Sequence, residues 1–150
     1  MKNIIIVLLF IMVSNGYAKN LLDDNDVISV VQAVDLLDKQ NKPWSKKVKG
    51  VFEFTVRASG KDKNKGYLNS NLNYRTKYNL TIVLSKHIRK RLTKKYGKDP
   101  LDFFIGKKVR VKGEAKKVKI HKIENKKVTN LVYFQSHIVL DAIKNIEIVE

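Results

Sequence analysis

From Val48 onward, apolar and polar residues alternate in short runs, the period-two pattern of half-buried strands, and the pattern yields only once to a clear helical period. Val48, Gly50, Phe52, Phe54 and Val56 point one way, while Lys47, Lys49, Glu53, Thr55 and Arg57 point the other. Tyr67 to Ser70 and then Leu80, Ile82 and Leu84 predict a second and a third strand. Lys86 to Tyr96 reads as a helix with Ile88, Leu92 and Tyr96 on one stripe, and Asp99-Pro100 starts a short turn that buries Phe103 and Phe104. Val109, Val111, Gly113 and Ala115 form a fourth strand. The apolar phase then moves to Val118 and Ile120, which predicts a bulge near Lys116 and Lys117. Val128 to Leu140 is a long fifth strand, and Ile146 and Ile148 carry a closing segment.

Upstream, Ser29 caps a predicted helix over Val30 to Lys39 that Pro43 ends, with Trp44 placed as a lid over the core. Met1-Lys2-Asn3 precedes an apolar run from Ile4 to Val13, and Ser14 to Ala18 ends in small residues. This is the pattern of a secretory signal peptide cleaved after Ala18. The run is shorter than the roughly 20 residues of a membrane-spanning helix, so no integral span is expected after cleavage. The expected organisation is a signal peptide over 1–18, a tail over 19–28 and one domain over 29–150, exported to a periplasm or the medium. Asp23, Asp24 and Asp26 lack the glycine and the glutamate of a calcium loop and read as part of the tail.

Strand, strand, strand, helix, strand, strand predicts an all-β fold with accessory helices: a five-stranded OB barrel, its helix between strands three and four, preceded by a short N-terminal helix. Four segments carry a resemblance: Tyr67-Leu68-Asn69-Ser70, Asn73-Tyr74-Arg75, Asn79-Leu80-Thr81-Ile82-Val83, and Gly106-Lys107-Lys108-Val109-Arg110-Val111-Lys112-Gly113. Together they resemble small exported bacterial OB-fold proteins of a nucleic-acid-binding-like kind, over Val30 to Val149. The resemblance implies a barrel similar to anticodon-binding and staphylococcal-nuclease barrels. Fold analogy alone does not carry a function.

Charge narrows the partners. Lys and Arg number 31 against 14 Asp and Glu, a formal net charge of +17, and such a field attracts nucleic acid, anionic lipid or anionic envelope polymer. The cations are mostly lysines, flexible point charges that suit backbone neutralisation better than base reading. Cysteine is absent, which excludes disulfides, thiolate metal sites and a cysteine nucleophile.

No catalytic constellation is visible, and the chain reads as a non-enzyme without cofactor or metal. Glu53 is a lone carboxylate beside Arg57 and Arg110, too few oxygens for the calcium of a nuclease barrel. His87, His121 and His137 lack metal-ligand spacing and read as surface or packed residues. A binding reading does better. Two lysine-bearing loops, Ser59 to Gly66 and His121 to Lys127, flank the face on which OB proteins stack bases. Lys61, Lys63, Lys65, Arg75, Lys122, Lys126 and Lys127 are the candidates to neutralise a polyanion backbone, and Tyr67, Tyr74 and Tyr78 the candidates to stack. The expected partner is single-stranded nucleic acid or a similar polyanion, bound without sequence preference. The alternative is an envelope module that docks to anionic lipid, polymer or protein, with the basic helix 86–96 as a solvated face or a second anionic surface.

Overall fold

The computed structural model describes residues 27–39 and 47–149; the signal segment, Asp23 to Asp26, Pro43 and Trp44 lie outside them. In chain order the elements are β1 (Val27–Ile28), α1 (Val30–Asp38), β2 (Val48–Thr55), β3 (Ala58–Lys61), β4 (Lys65–Asn69), β5 (Leu80–Ser85), α2 (Lys86–Tyr96), α3 (Pro100–Phe103), β6 (Lys108–Glu124), β7 (Lys127–Leu140), a 3-10 turn (Ile143–Asn145) and β8 (Ile146–Ile148). Among the described residues the fold is mostly β with three α-helices.

Local chemistry explains the helices. The Ser29 hydroxyl accepts from Gln32 N, and the Gln32 side chain accepts from Ser29 N, so two otherwise unpaired amides of α1 are satisfied reciprocally. Ser85 caps α2 by accepting from Ile88 N at 3.2 Å, and Gly97, with φ 71°, ends the helix in the left-handed conformation. α3 starts at Pro100 with Asp99 accepting from Leu101 N.

One mixed sheet holds all eight strands in the hydrogen-bonded order β1-β2-β6-β7-β5-β4-β3, with β8 also on β6. The β1–β2 and β5–β7 pairs are parallel and the others antiparallel. This corrects the expectation of a closed or nearly closed five-stranded barrel: the described strands number eight, and the ladder path has two ends, β1 and β3. The first predicted strand divides because its partner changes. Val56 N bonds to Lys107 O on one side, and the next amide, Arg57 N, bonds to Asn69 O on the other. β2 thus pairs with β6 and β3 with β4, and the covalent chain joins them. Val27 and Ile28, expected in the tail, instead form β1. Ile28 Cδ1 stands 2.5 Å from where a Cβ on Gly50 would lie, so the glycine serves a close approach.

Three further expectations change for related reasons. The lysine loop over Ser59–Gly66 is strand at both ends, leaving Asp62 to Asn64 as the turn. The loop over His121–Lys127 is a two-residue turn, with Asn125 (φ 50°) and Lys126 (φ 63°) in the conformation of a tight hairpin. The β6–β7 register shifts between His121 and Ile123, not near Lys116. Past Ala115, β6 has run beyond β2, and Val118 and Ile120 on its opposite face are half-buried. The apolar phase therefore moves without an inserted residue.

Inward residues of the sheet form one core: Phe52, Leu68, Leu80, Ile82, Leu84, Val109, Val111, Ile138 and Leu140, covered by Ile88 and Leu92 of α2, Ala33 and Leu37 of α1, and Phe104. Each such Leu, Ile or Phe contributes about 1.5–3 kcal/mol by leaving water. Tyr96, Phe103 and Phe104 pack ring on ring, Tyr96 and Phe103 stacked at 4.3 Å.

Candidate binding cleft

Register decides which side chains meet on the outer face. Asn69 of β4, Thr81 of β5 and His137 of β7 lie directly opposite one another across three adjacent strands, with Lys116 of β6 next in the row. Tyr67 lies two residues from Asn69, and Gln135 and Tyr133 continue down β7 from His137, opposite Val118 and Ile120 of β6. These residues share the face opposite the core. Of them, Tyr67, Asn69, Thr81, Ile120, Tyr133, Gln135 and His137, with Leu72 and Tyr74 from the β4–β5 connection and Ala58 to Lys61 of β3, line a cleft of about 570 Å³. A second chamber of about 390 Å³ adjoins it, sharing Tyr74, Ile120 and Tyr133 and adding Arg75, His121, Lys122, Ile123 and Glu124.

Asparagine builds the wall. Asn71 Oδ1 accepts from Asn73 N, and Asn73 Oδ1 accepts from Arg75 N, the side-chain turns for which asparagine is suited. The buried Asn79 ties this loop down: its Oδ1 accepts from Asn71 N, and its Nδ2 donates to Tyr74 O and Thr81 Oγ1. Leu72, 78% exposed, and Tyr74 are thereby held beside the cleft by hydrogen bonds and not by packing. Arg75 sits 5.4 Å over the Tyr74 ring. Tyr74 and, less strongly, Tyr133 hold its pKa above the ordinary value.

Asp62 organises the opposite end. Its Oδ1 accepts from Asn64 N and Lys65 N, and its Oδ2 accepts from the Tyr67 hydroxyl at 2.6 Å. Burial, and then that carboxylate, push the Tyr67 phenol up to about 12, so it stays protonated and pinned. His137 is tilted against Tyr67, ring centroids 6.3 Å apart. Burial above all, with Lys65 and Lys116 adding to it, lowers the His137 pKa to about 4 and leaves the ring neutral at pH 7.

The residues singled out in the sequence divide. Lys61, Tyr67, Tyr74, Arg75 and Lys122 come together on the two chambers. Lys63 and Lys65 are exposed on the β3–β4 turn, and Lys126 and Lys127 at the hairpin tip; none of the four lines the cleft. Tyr78 is parted from the other tyrosines. Its hydroxyl donates to Asp35 of α1 at 3.3 Å and its ring lies under the Lys77 ammonium, so it fastens the loop to α1. Asn69, Thr81, Tyr133, Gln135 and His137 were not singled out. The available signal was the recurrence of polar or polar-tipped residues at every second position, Tyr133, Gln135 and His137, along one face of a strand.

Other polar clusters are ion pairs. Glu53 joins Lys108 and Arg110, Asp38 joins Lys77 and Lys117, and Glu114 joins Lys47 and Lys49. Among the described residues, no group of three or more His, Asp or Glu is placed to hold a metal ion. No helix among them is long and apolar enough to cross a membrane.

No family model matches the chain. No curated protein matches it. A solved structure assigned as an aspartyl-tRNA synthetase from Leishmania major Friedlin aligns at 12% identity and a TM-score of 0.41, over 87% of this chain and 22% of that one. This chain therefore spans about a fifth of that protein's length.

Proposed function

We propose that the mature chain is an exported, non-catalytic OB-type module that binds single-stranded nucleic acid or a similar extended polyanion in the cleft on the outer face of β4, β5 and β7. The carrying observation is the two-chambered cleft itself. Lys61, Arg75 and Lys122 stand on it beside Tyr67, Tyr74 and Tyr133, which pairs cations for a phosphate chain with rings for its bases. Continuity of β2 into β3 through Val56 and Arg57 supports the OB reading, since the chain itself links the two halves of the ladder path. The signal-like first 18 residues support export. Docking to anionic lipid or envelope polymer is the second reading. The exposed Lys86, Lys90, Arg91, Lys94 and Lys95 of α2, a surface separate from the cleft lining, favour it.

Titration of a labelled single-stranded oligonucleotide across a salt series tests the first reading. Affinity falls with a log–log slope of roughly −0.7 per phosphate contact, and changing Arg75 and Lys122 together to Gln flattens the slope by one to two contacts. An unchanged slope in that variant places the polyanion elsewhere.

A further inference from the structure

The floor of the cleft carries more than its rim chemistry requires. Asn69 and His137 are 6% and 8% exposed, and each keeps an unused hydrogen-bonding group where it lines the cleft. Asn69 Oδ1 accepts from Thr81 Oγ1 at 2.8 Å and from Asn79 Nδ2 at 3.4 Å, which turns its amide nitrogen away from that network. That nitrogen has no partner among the described residues. His137 Nε2 lies 2.8 Å from Gln135 Oε1, and Gln135 Nε2 donates to the Tyr133 hydroxyl. The chain Tyr133–Gln135–His137 therefore makes Nε2 the protonated nitrogen and leaves Nδ1 a bare acceptor.

Both groups are open to the cleft, unlike Arg89 Nε, the buried side-chain atom without a partner among the described residues, so each can exchange water for a ligand's polar edge. The two residues flank Thr81 across three strands, about 10 Å apart at the backbone. Phosphate does not fit this floor, because its oxygens only accept while Nδ1 also only accepts. A planar heterocycle with donors and acceptors on its edge does. The flanking rings of Tyr67, Tyr74 and Tyr133 suit its faces, and Lys61, Arg75 and Lys122 suit the phosphates on either side of it.

We propose that the cleft floor is a nucleobase subsite, in which one unstacked base of the bound strand donates to His137 Nδ1 and accepts from Asn69 Nδ2 while its phosphates lie on the rim cations. This rests on the cleft being the strand-binding site. It goes beyond that reading in making the protein select nucleic acid over other polyanions. The neutrality of His137 at pH 7 agrees with its acceptor role.

Three probes separate the ideas: a short labelled single strand, the same strand with abasic sites, and inorganic polyphosphate, each titrated by anisotropy at one salt concentration. The abasic strand and polyphosphate should bind about tenfold or more weakly than the complete strand, the loss expected for one base. His137→Phe and Asn69→Ala should each narrow the gap between complete and abasic strands while leaving the abasic strand's affinity unchanged, and an unchanged gap in both stably folded variants overturns the base subsite. Equal binding of complete and abasic strands overturns the base subsite and leaves strand binding standing. Polyphosphate binding as tightly as the complete strand overturns it likewise. No binding of either strand overturns the proposed function as well. Because Asn69 belongs to a buried network, a thermal melt accompanies each variant. Where one variant is unstable, the other decides.

Discussion

The outer face of α2 and the cleft both present positive charge to solvent, and α2 presents more of it. Lys86, Lys90, Arg91, Lys94 and Lys95 project from one convex helix whose apolar residues, Ile88 and Leu92, are spent on the core. Only Lys61, Arg75 and Lys122 reach the cleft chambers, yet there they stand beside three tyrosine rings and two buried side chains with unused polar atoms. Charge alone produces a field that salt screens within about 10 Å at 0.1 M. Concavity adds short-range contacts that salt does not screen. The difference is one of attraction against recognition: a convex charged face offers only a field, whereas a cleft also offers short-range contacts.

That contrast can be broken in order of effect. The largest change comes from the buried side of α2. Leu92→Ala, at a fully buried position, should cost about 2–5 kcal/mol in denaturant unfolding, because its transfer energy and a cavity are both lost. A cost under about 1 kcal/mol would mean that α2 is loosely docked and free for another role.

Next comes pH, which probes the cleft floor. The His137 pKa falls from 6.5 to about 4 on folding, so the unfolded chain binds the extra proton. Its contribution is fully present above pH 6.5 and is lost as pH falls toward 4. At about 1.4 kcal/mol per unit, this is on the order of 3 kcal/mol. His137→Phe should flatten the stability curve between about pH 6.5 and 4.5. The remaining acid loss should stay, since ion pairs and hydrogen bonds hold Asp38, Glu53, Asp99 and Glu114 below their ordinary carboxylate values, and acid removes that stabilisation by protonating them. An unaltered curve would put His137 in water, not in the floor.

Tyr74→Ala should weaken oligonucleotide binding by about 1–3 kcal/mol and leave the salt slope nearly unchanged, because stacking releases no counterions. Tyr78→Ala, at the similarly exposed tyrosine fastened to Asp35, should change affinity little. Equal losses for the two would remove the distinction between a tyrosine in the cleft and one outside it.

The smallest effect is expected from the charges of α2. Changing Lys90, Arg91, Lys94 and Lys95 together to Gln should shift stability by less than about 0.5 kcal/mol per site, since these are exposed positions. The slope of oligonucleotide affinity against salt should remain. If it drops by several contacts, the helix is the binding surface and the comparison reverses.

How much was legible differs by element. Ser29 announced its helix, because caps act through atoms within four residues, and the same short-range signal was present but unread in Ser85 and Gly97. The inward faces of β2, β5 and the first half of β6 were legible because one buried face imposes period two. The two lysine-rich segments were misread as loops. Polar side chains on both faces look like a loop locally, and only the ladder to a distant partner supplies the hydrogen bonds that make them strands. Tyr67, Tyr74, Arg75, Lys61 and Lys122, which line the two chambers, were singled out because aromatic and cationic residues near turns draw attention.

The sequence by itself determined the caps, the alternation and the excess of cations, all properties that a few neighbouring residues or the whole composition specify. Tertiary structure alone decided that Asn69, Thr81 and His137 form one row. They are separated by 12 and 56 residues along the chain, and polar residues on a strand's outer face look alike whether they meet water or each other. Tertiary structure also decided that Tyr78 faces α1, since its partner Asp35 lies 43 residues away. Distance along the chain carries no record of register, and register is what set donor, acceptor and ring on one floor.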